Sequence, residues 1–230
     1  MTSGLEIFVI FHKRLYPEMY SDLEADEYES LRFIAVNEDI PKEYDRTIFP
    51  NVINEWDLPI YNPRYQKSNW ANGGTNHHII MNGLGTQDYI GFVQYDMKFP
   101  KGSIRKILEI LKSERDIGVS IKTMSFSELM GTSTYGFSEY PLYQEALNQL
   151  PALKSDRFPL FHVCFMRTEL YNENMENLLK IDTHLEEFCN RPGDPWYRFP
   201  ILTERTLALM CAGLLKNIVE VPEITHERLT

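Results

Sequence analysis

Four short apolar runs, separated by stretches with room for helices, constrain this chain more than any other feature. LEIFVIF from Leu5 to Phe11, LRFIAVNE from Leu31 to Glu38, DYIGFVQYD from Asp88 to Asp96 and PLFHVCFMR from Pro159 to Arg167 are rich in β-branched and aromatic residues. Continuous rather than alternating apolar character predicts strands covered on both faces. A helix is predicted around NHHIIMNGL. In GSIRKILEILKSE the apolar residues Ile104, Ile107, Leu108 and Leu111 share one helical face, and Ser103 is the expected N-cap. TELYNENMENLLKIDTHLEEFC follows the fourth strand as a long helix, and a last helix is expected from Thr203. Alternating strands and helices predict an α/β fold with a mostly parallel central sheet flanked by helices.

The 230 residues suit one domain, and no repeat or long linker divides them. The longest apolar runs fall far short of the ~20 residues a bilayer requires, and MTSGLEIFVIFHK lacks the basic start of a secretory signal. A cytoplasmic protein is expected. Cys164, Cys189 and Cys211 match neither a zinc motif nor a disulfide framework. A formal net charge of −10 disfavours general binding to nucleic-acid backbones, which requires clustered cations, and leaves room for a small anionic ligand in a local basic pocket. No Walker or dinucleotide-type glycine loop occurs, because Gly73-Gly74 lacks the strand-turn-helix context; kinase and dehydrogenase readings fall away.

In open α/β sheets ligands bind beyond the carboxyl ends of the strands. That rule selects His12 and Lys13 after the first strand, Asn37 to Asp39 after the second, Asp96 after the third, and Arg167 to Glu169 after the fourth. Asp96 stands out, since a carboxylate at a strand end can bind a divalent ion, accept a proton, or simply cap the turn. The adjacent His77 and His78 diverge by about 100° on a helix, so at most one can face a given site. His162, placed inside the fourth strand, either satisfies the core or faces the cleft. Between Trp56 and His78, Trp56, Tyr61, Tyr65 and Trp70 alternate with Asn62, Asn69, Asn72 and Asn76. Aromatic faces with amide donors suit sugars and bases, and they equally suit a packed surface loop.

Taken in order, FHK, NWANGGTNHHIIMNG, DYIGFVQYDMKF, FHVCFMR and RFPILTERTLAL resemble the GT-A glycosyltransferases related to capsular polysaccharide transferases and to enzymes of large DNA viruses that infect chlorella-like algae. The resemblance implies the GT-A nucleotide-diphospho-sugar transferase fold over the whole chain, as a single catalytic domain or one domain of a longer transferase. It implies a hexosyl or deoxyhexosyl transfer from a nucleotide-diphosphate donor, expected to be a UDP-sugar, to a glycan hydroxyl, with inversion expected and a retaining transferase on the same fold as the alternative. Donor binding would fall to Phe11, His12, Lys13, Asn37, Arg64, Trp70, Asn76, His77, Gln94 and Tyr95, and the acceptor side to His162 and Arg198. Asp96 would stand at the second Asp of the family's DxD motif and hold Mn²⁺ or Mg²⁺, with Gln94 in place of the first Asp. His162 or His226 would complete the ion's ligands; alternatively Lys13, Arg64 or Arg198 would neutralise the diphosphate and leave Asp96 as base. Glu204 is the second catalytic candidate, or a partner of Arg205 or Arg198. The rival expectation is a sugar- or nucleotide-binding module without turnover, favoured by the missing carboxylate.

Overall fold

The computed structural model describes residues 4–67, 70–131, 148, 150–189 and 198–227. Its centre is a seven-stranded sheet made by β1 (Leu5–Phe11), β2 (Leu31–Ala35), β3 (Ile53–Asn54), β4 (Tyr89–Gln94), β6 (Ile117–Ser120), β9 (Cys164–Arg167) and β10 (Asn217–Glu220), in the order β10-β6-β9-β4-β1-β2-β3. β9 alone runs antiparallel to its neighbours β4 and β6. Two antiparallel pairs stand apart from the sheet: β5 (Met97–Lys98) with β11 (Thr225–His226), and β7 (Thr123–Ser125) with β8 (Arg157–Pro159).

Every residue of β1 is buried, as its unbroken apolar run predicts for a strand flanked by β2 and β4 and covered above and below. Its side chains divide with period two. Leu5, Ile7, Val9 and Phe11 join one core with Val93, Val119, Phe165 and the Ile104, Ile107, Leu108 and Leu111 face of a helix, Ser103–Ser113. Phe8 and Ile10 join the opposite core with Phe92, Cys164 and Met166. There they meet Tyr171 and Met175 of the long helix Thr168–Cys189, and Leu207, Met210 and Cys211 of the helix Arg198–Leu214. Numbered in chain order, the helices are α1 (Ala25–Tyr28), α2 (Arg64–Lys67), α3 (Ala71–Met81), α4 (Ser103–Ser113), α5 (Phe126–Gly131), α6 (Thr168–Cys189) and α7 (Arg198–Leu214). None of the described helices is long and apolar enough to cross a membrane.

Three local expectations are corrected. Gly102, not Ser103, is the N-cap of α4, with φ of 81°. The capping acceptor comes from far away in sequence: the buried Glu27 carboxylate accepts the N–H groups of Gly102, Ile104 and Arg105. Three amides on one carboxylate satisfy the helix start better than a serine hydroxyl, which has one acceptor to offer the same amides. The last helix begins at Arg198 rather than Thr203, whose hydroxyl turns back to the Pro200 carbonyl at 2.9 Å. Finally, PLFHVCFMR is not one strand. It divides into the end of β8, a turn and β9.

Packing of β9 against β4 is tight at Gly91, which faces Phe165 in the register. A Cβ at Gly91 would lie 2.1 Å from Phe165 Cδ1. Gly91→Ala is therefore expected to cost about 1–3 kcal/mol through overpacking. A urea midpoint that falls with unchanged slope would show it, and a midpoint equal to the parent's would contradict this packing.

Candidate active site at the carboxyl ends of β1, β2 and β4

The chain leaves β1 to lay β2 and β3 on one side, then returns to lay β4 on the other. This reversal opens a crevice beyond the carboxyl ends of β1 and β4, the place where such sheets take ligands. Phe11, His12 and Lys13 lie on one lip and Gln94, Tyr95 and Asp96 on the other. The His12 and Tyr95 rings meet edge to face at 5.1 Å. Partial burial lowers the His12 pKa against the opposing pull of Asp96, so the ring is neutral at pH 7. Burial, then the Asp96 charge, raises the Tyr95 phenol. Phe11 itself is fully buried and faces the core, so it positions the lip rather than lining it. At the end of β2, Asn37 adopts φ of 60°, which asparagine tolerates better than most residues. Its carbonyl accepts Lys42 Nζ at 2.6 Å, and the same ammonium lies 5.1 Å from the Trp56 ring centroid. Lys42 is thereby held near His12, whose pKa its charge also lowers.

Asp96 immediately precedes β5, and β5 pairs with β11 so that His226 stands opposite Met97. The Glu227 N–H donates to the Asp96 carbonyl at 2.8 Å, and His226 Nε2 lies 2.8 Å from Asp96 Oδ2. Asp96 Oδ1 is buried without a hydrogen-bond partner. An unmatched anionic oxygen in a binding crevice is costly unless something cationic or a donor reaches it. Among the described residues no three of His, Cys, Asp or Glu gather to enclose a metal ion. The free Oδ1 is nevertheless the kind of hard oxygen donor that a divalent ion takes beside phosphate oxygens and water, while Nε2 of His226 is engaged by Oδ2.

The turn before β9 brings in a second group. Phe161 and His162 have φ of 61° and 56°, and the Val163 N–H closes the turn on the Leu160 carbonyl at 3.0 Å. Two successive positive φ values describe a turn that Asn-Gly ordinarily fills. For residues with a side chain each left-handed position costs roughly 1–2 kcal/mol, so neighbouring contacts must hold it. Gln94 Nε2 donates to the Phe161 carbonyl at 3.3 Å, and the Phe161 N–H donates to the Glu204 carboxylate. The Phe161 ring lies against His226 at 5.2 Å. His162 is buried, and its Nε2 is 3.2 Å from Thr203 Oγ1. Because that hydroxyl gives its one hydrogen to the Pro200 carbonyl, Nε2 carries the imidazole proton and donates. Burial, then the Arg205 charge, pushes the His162 pKa down to about 4. Burial raises that of Glu204, although Arg205 lies 3.2 Å away.

The remaining candidates form a separate cluster under α3. His77 Nε2 is 3.2 Å from Asp182 of α6, Arg64 pairs with Glu186 at 2.6 Å, and Trp70 packs on Tyr65, His77 and Phe199. Asn76 neighbours Tyr171, and neither Asn76 Oδ1 nor the Tyr171 hydroxyl has a hydrogen-bond partner among the described residues. No described contact joins these four residues to Asp96. His78 turns the other way: its Nε2 accepts the Asn62 N–H at 2.9 Å, leaving Nδ1 to donate to Glu55 at 2.6 Å. The Arg198 side chain and Asn69 lie outside the described residues. Sequence reasoning missed Lys42 and Phe161; no residue pattern marks a phenylalanine for a left-handed turn.

Neither a family model nor a curated protein matches the sequence. Among solved structures, the bifunctional glycosyltransferase WbbM in its apo form superposes with a TM-score of 0.55 at 14% identity, over 95% of this chain. The match spans 44% of WbbM, so this chain is less than half that protein's length. Glucosyl-3-phosphoglycerate synthase from Mycobacterium tuberculosis, in complex with Mn²⁺, UDP and glucosyl-3-phosphoglycerate, gives a TM-score of 0.46 at 10% identity, over 99% of this chain and 73% of its own. The strand order, the single reversed strand and the likeness to WbbM together identify the architecture: this chain has the GT-A, nucleotide-diphospho-sugar transferase fold.

Proposed function

We propose that the chain is a glycosyltransferase moving a sugar from a UDP-sugar to a glycan hydroxyl, with inversion, and that it forms a catalytic domain alone or within a longer transferase. The observation that carries this reading is Asp96, a strand-end carboxylate with one buried, unmatched oxygen at the switch point and His226 fixed on the other. Asp96 would hold Mn²⁺ or Mg²⁺ through its free oxygen, with His226 orienting the carboxylate through the other, and the ion when bound would neutralise charge on the leaving diphosphate. Lys13 and Lys42 add positive charge on the β1 and β2 side. Neutral His12 and Tyr95 offer ring faces and donors beside Asp96. Glu204 takes the base role: as the acceptor oxygen bonds to the anomeric carbon and the bond to the diphosphate oxygen breaks, the hydroxyl proton passes to its carboxylate. A raised pKa suits that task, because a base poised nearer neutrality accepts a proton more readily.

Gln94 favours one second reading, a binding module without turnover, because its amide is engaged by the Phe161 carbonyl and leaves Asp96 as the one carboxylate of the motif. Slow hydrolysis of the donor in the absence of acceptor separates the two, since a binding module releases no sugar. For donor binding itself, UDP with Mn²⁺ at 100 times its Kd is expected to stabilise the fold by about 2.7 kcal/mol. In a chain of this size that corresponds to roughly 5–10 °C in melting temperature. A panel in which UDP and UDP-sugars leave the melting temperature unmoved while another nucleotide raises it would overturn the donor assignment.

A further inference from the structure

We propose that the strained Phe161–His162 turn is a positioning element that holds His226 on Asp96 and sets Glu204 beside the same crevice. This rests on the reading of Asp96, His226 and Glu204 given above, and it adds a residue, Phe161, that no motif marks. The turn costs conformational energy that Asn-Gly would avoid, and strain of this kind persists only where the surroundings enforce it. Ser120 and Lys122 hold the corners of the turn at Val163 and Leu160, and the contacts on its two central residues come from site elements. Gln94 at the end of β4 binds the Phe161 carbonyl, and Glu204 of α7 binds its N–H. Thr203 of α7 binds His162, and the Phe161 ring covers the face of His226.

What the turn supports is otherwise slight. β11 has two residues, both exposed, and pairs only with the two residues of β5. Its main-chain link to the site is the Glu227 N–H on the Asp96 carbonyl. So short a pair does not fix a side chain by itself. The half-buried Phe161 ring, packed on the core that includes Val93, Met97 and Ile224, is the apolar surface against which His226 rests. Phe and His thus stand in a turn where small residues would be easier because both side chains are used, Phe161 against His226 and the buried His162 on Thr203.

Phe161→Asn separates the two properties, since asparagine accepts the left-handed conformation but offers no ring. Amide hydrogen exchange on the protein without ligand is the primary measurement. In Phe161→Asn the Glu227 amide is expected to exchange at least about tenfold faster, while β1 and β4 amides and the melting temperature hold or improve. Phe161→Tyr, which keeps the ring, is expected to retain Glu227 protection. Should Phe161→Asn fail to fold, Phe161→Leu, which keeps apolar bulk without a planar face, is expected to show the same local loss in milder form. Unchanged Glu227 exchange in a folded Phe161→Asn or Phe161→Leu variant overturns the proposal, as does loss of protection in Phe161→Tyr. Calorimetric titration with UDP and Mn²⁺ is the second arm: about tenfold weaker binding by Phe161→Asn is expected, and parental affinity counts against the proposal. If the parent itself takes up no UDP with any ion, the donor reading fails, and the exchange result alone decides whether the turn positions His226.

Discussion

Glu204→Gln is expected to lower turnover by about 10²- to 10⁴-fold with donor affinity nearly unchanged, the effect of removing a general base. Glutamine keeps the size of the side chain and an oxygen for the Phe161 N–H, so the turn before β9 should survive. The pH dependence supplies an independent readout. Burial raises the folded-state pKa of Glu204 above its unfolded value, so between those two values the folded chain holds a proton that the unfolded chain has lost. The contribution of Glu204 to stability is therefore greatest below its unfolded pKa and declines as pH rises toward the folded one. Glu204→Gln removes that decline. Its melting temperature should match or exceed the parent's at neutral pH and lose the advantage in acid. A glutamine variant that turns over at the parental rate would return Glu204 to the purely structural role of pairing with Arg205.

Asp96→Asn is expected to weaken Mn²⁺-supported UDP binding by about 10- to 100-fold, the size of loss seen when the surroundings of a bound metal are altered. Turnover should fall by roughly 10²- to 10³-fold as stabilisation of the departing diphosphate is lost. Asparagine preserves an acceptor for His226 Nε2, so β11 should stay in place and the comparison concerns charge. Donor binding by the parent should respond to Mn²⁺ and to chelator, whereas that of the variant should be nearly indifferent to both. If turnover falls but metal-supported affinity holds, Asp96 acts as the base and the ion belongs elsewhere. A folded variant with parental affinity and parental turnover leaves Asp96 only the task of closing the turn into β5, and the site assignment goes with it.

Much of the scaffold around these two carboxylates is legible in the residues. β1 and β4 are visible because strands enclosed on both faces need apolar residues at consecutive positions, and LEIFVIF and YIGFVQ supply them. The face of α4 is visible in the spacing of Ile104, Ile107, Leu108 and Leu111. Asp96 follows from the same reasoning, because a carboxylate that ends a buried strand lies at the sheet's carboxyl edge wherever the strand is placed.

The partners of these residues follow a different logic. His226 reaches Asp96 across 130 positions through strands of two residues each, too short to leave a pattern. The cap of α4 comes from Glu27, because a buried carboxylate can serve three amides wherever the fold delivers it. His77 and His78, identical in type and adjacent in sequence, meet Asp182 and Glu55 from different faces of α3. In PLFHVCFMR the local preference is for one long strand. The contacts of Gln94, Glu204 and Thr203 instead bend Phe161 and His162 into a left-handed turn. Local apolar pattern thus determined which segments become strands and helices and where the sheet's binding edge lies, since that information resides in neighbouring residues. Which side chains meet at that edge was decided by tertiary packing, because those pairings join residues far apart in sequence and bend the backbone against its local preference.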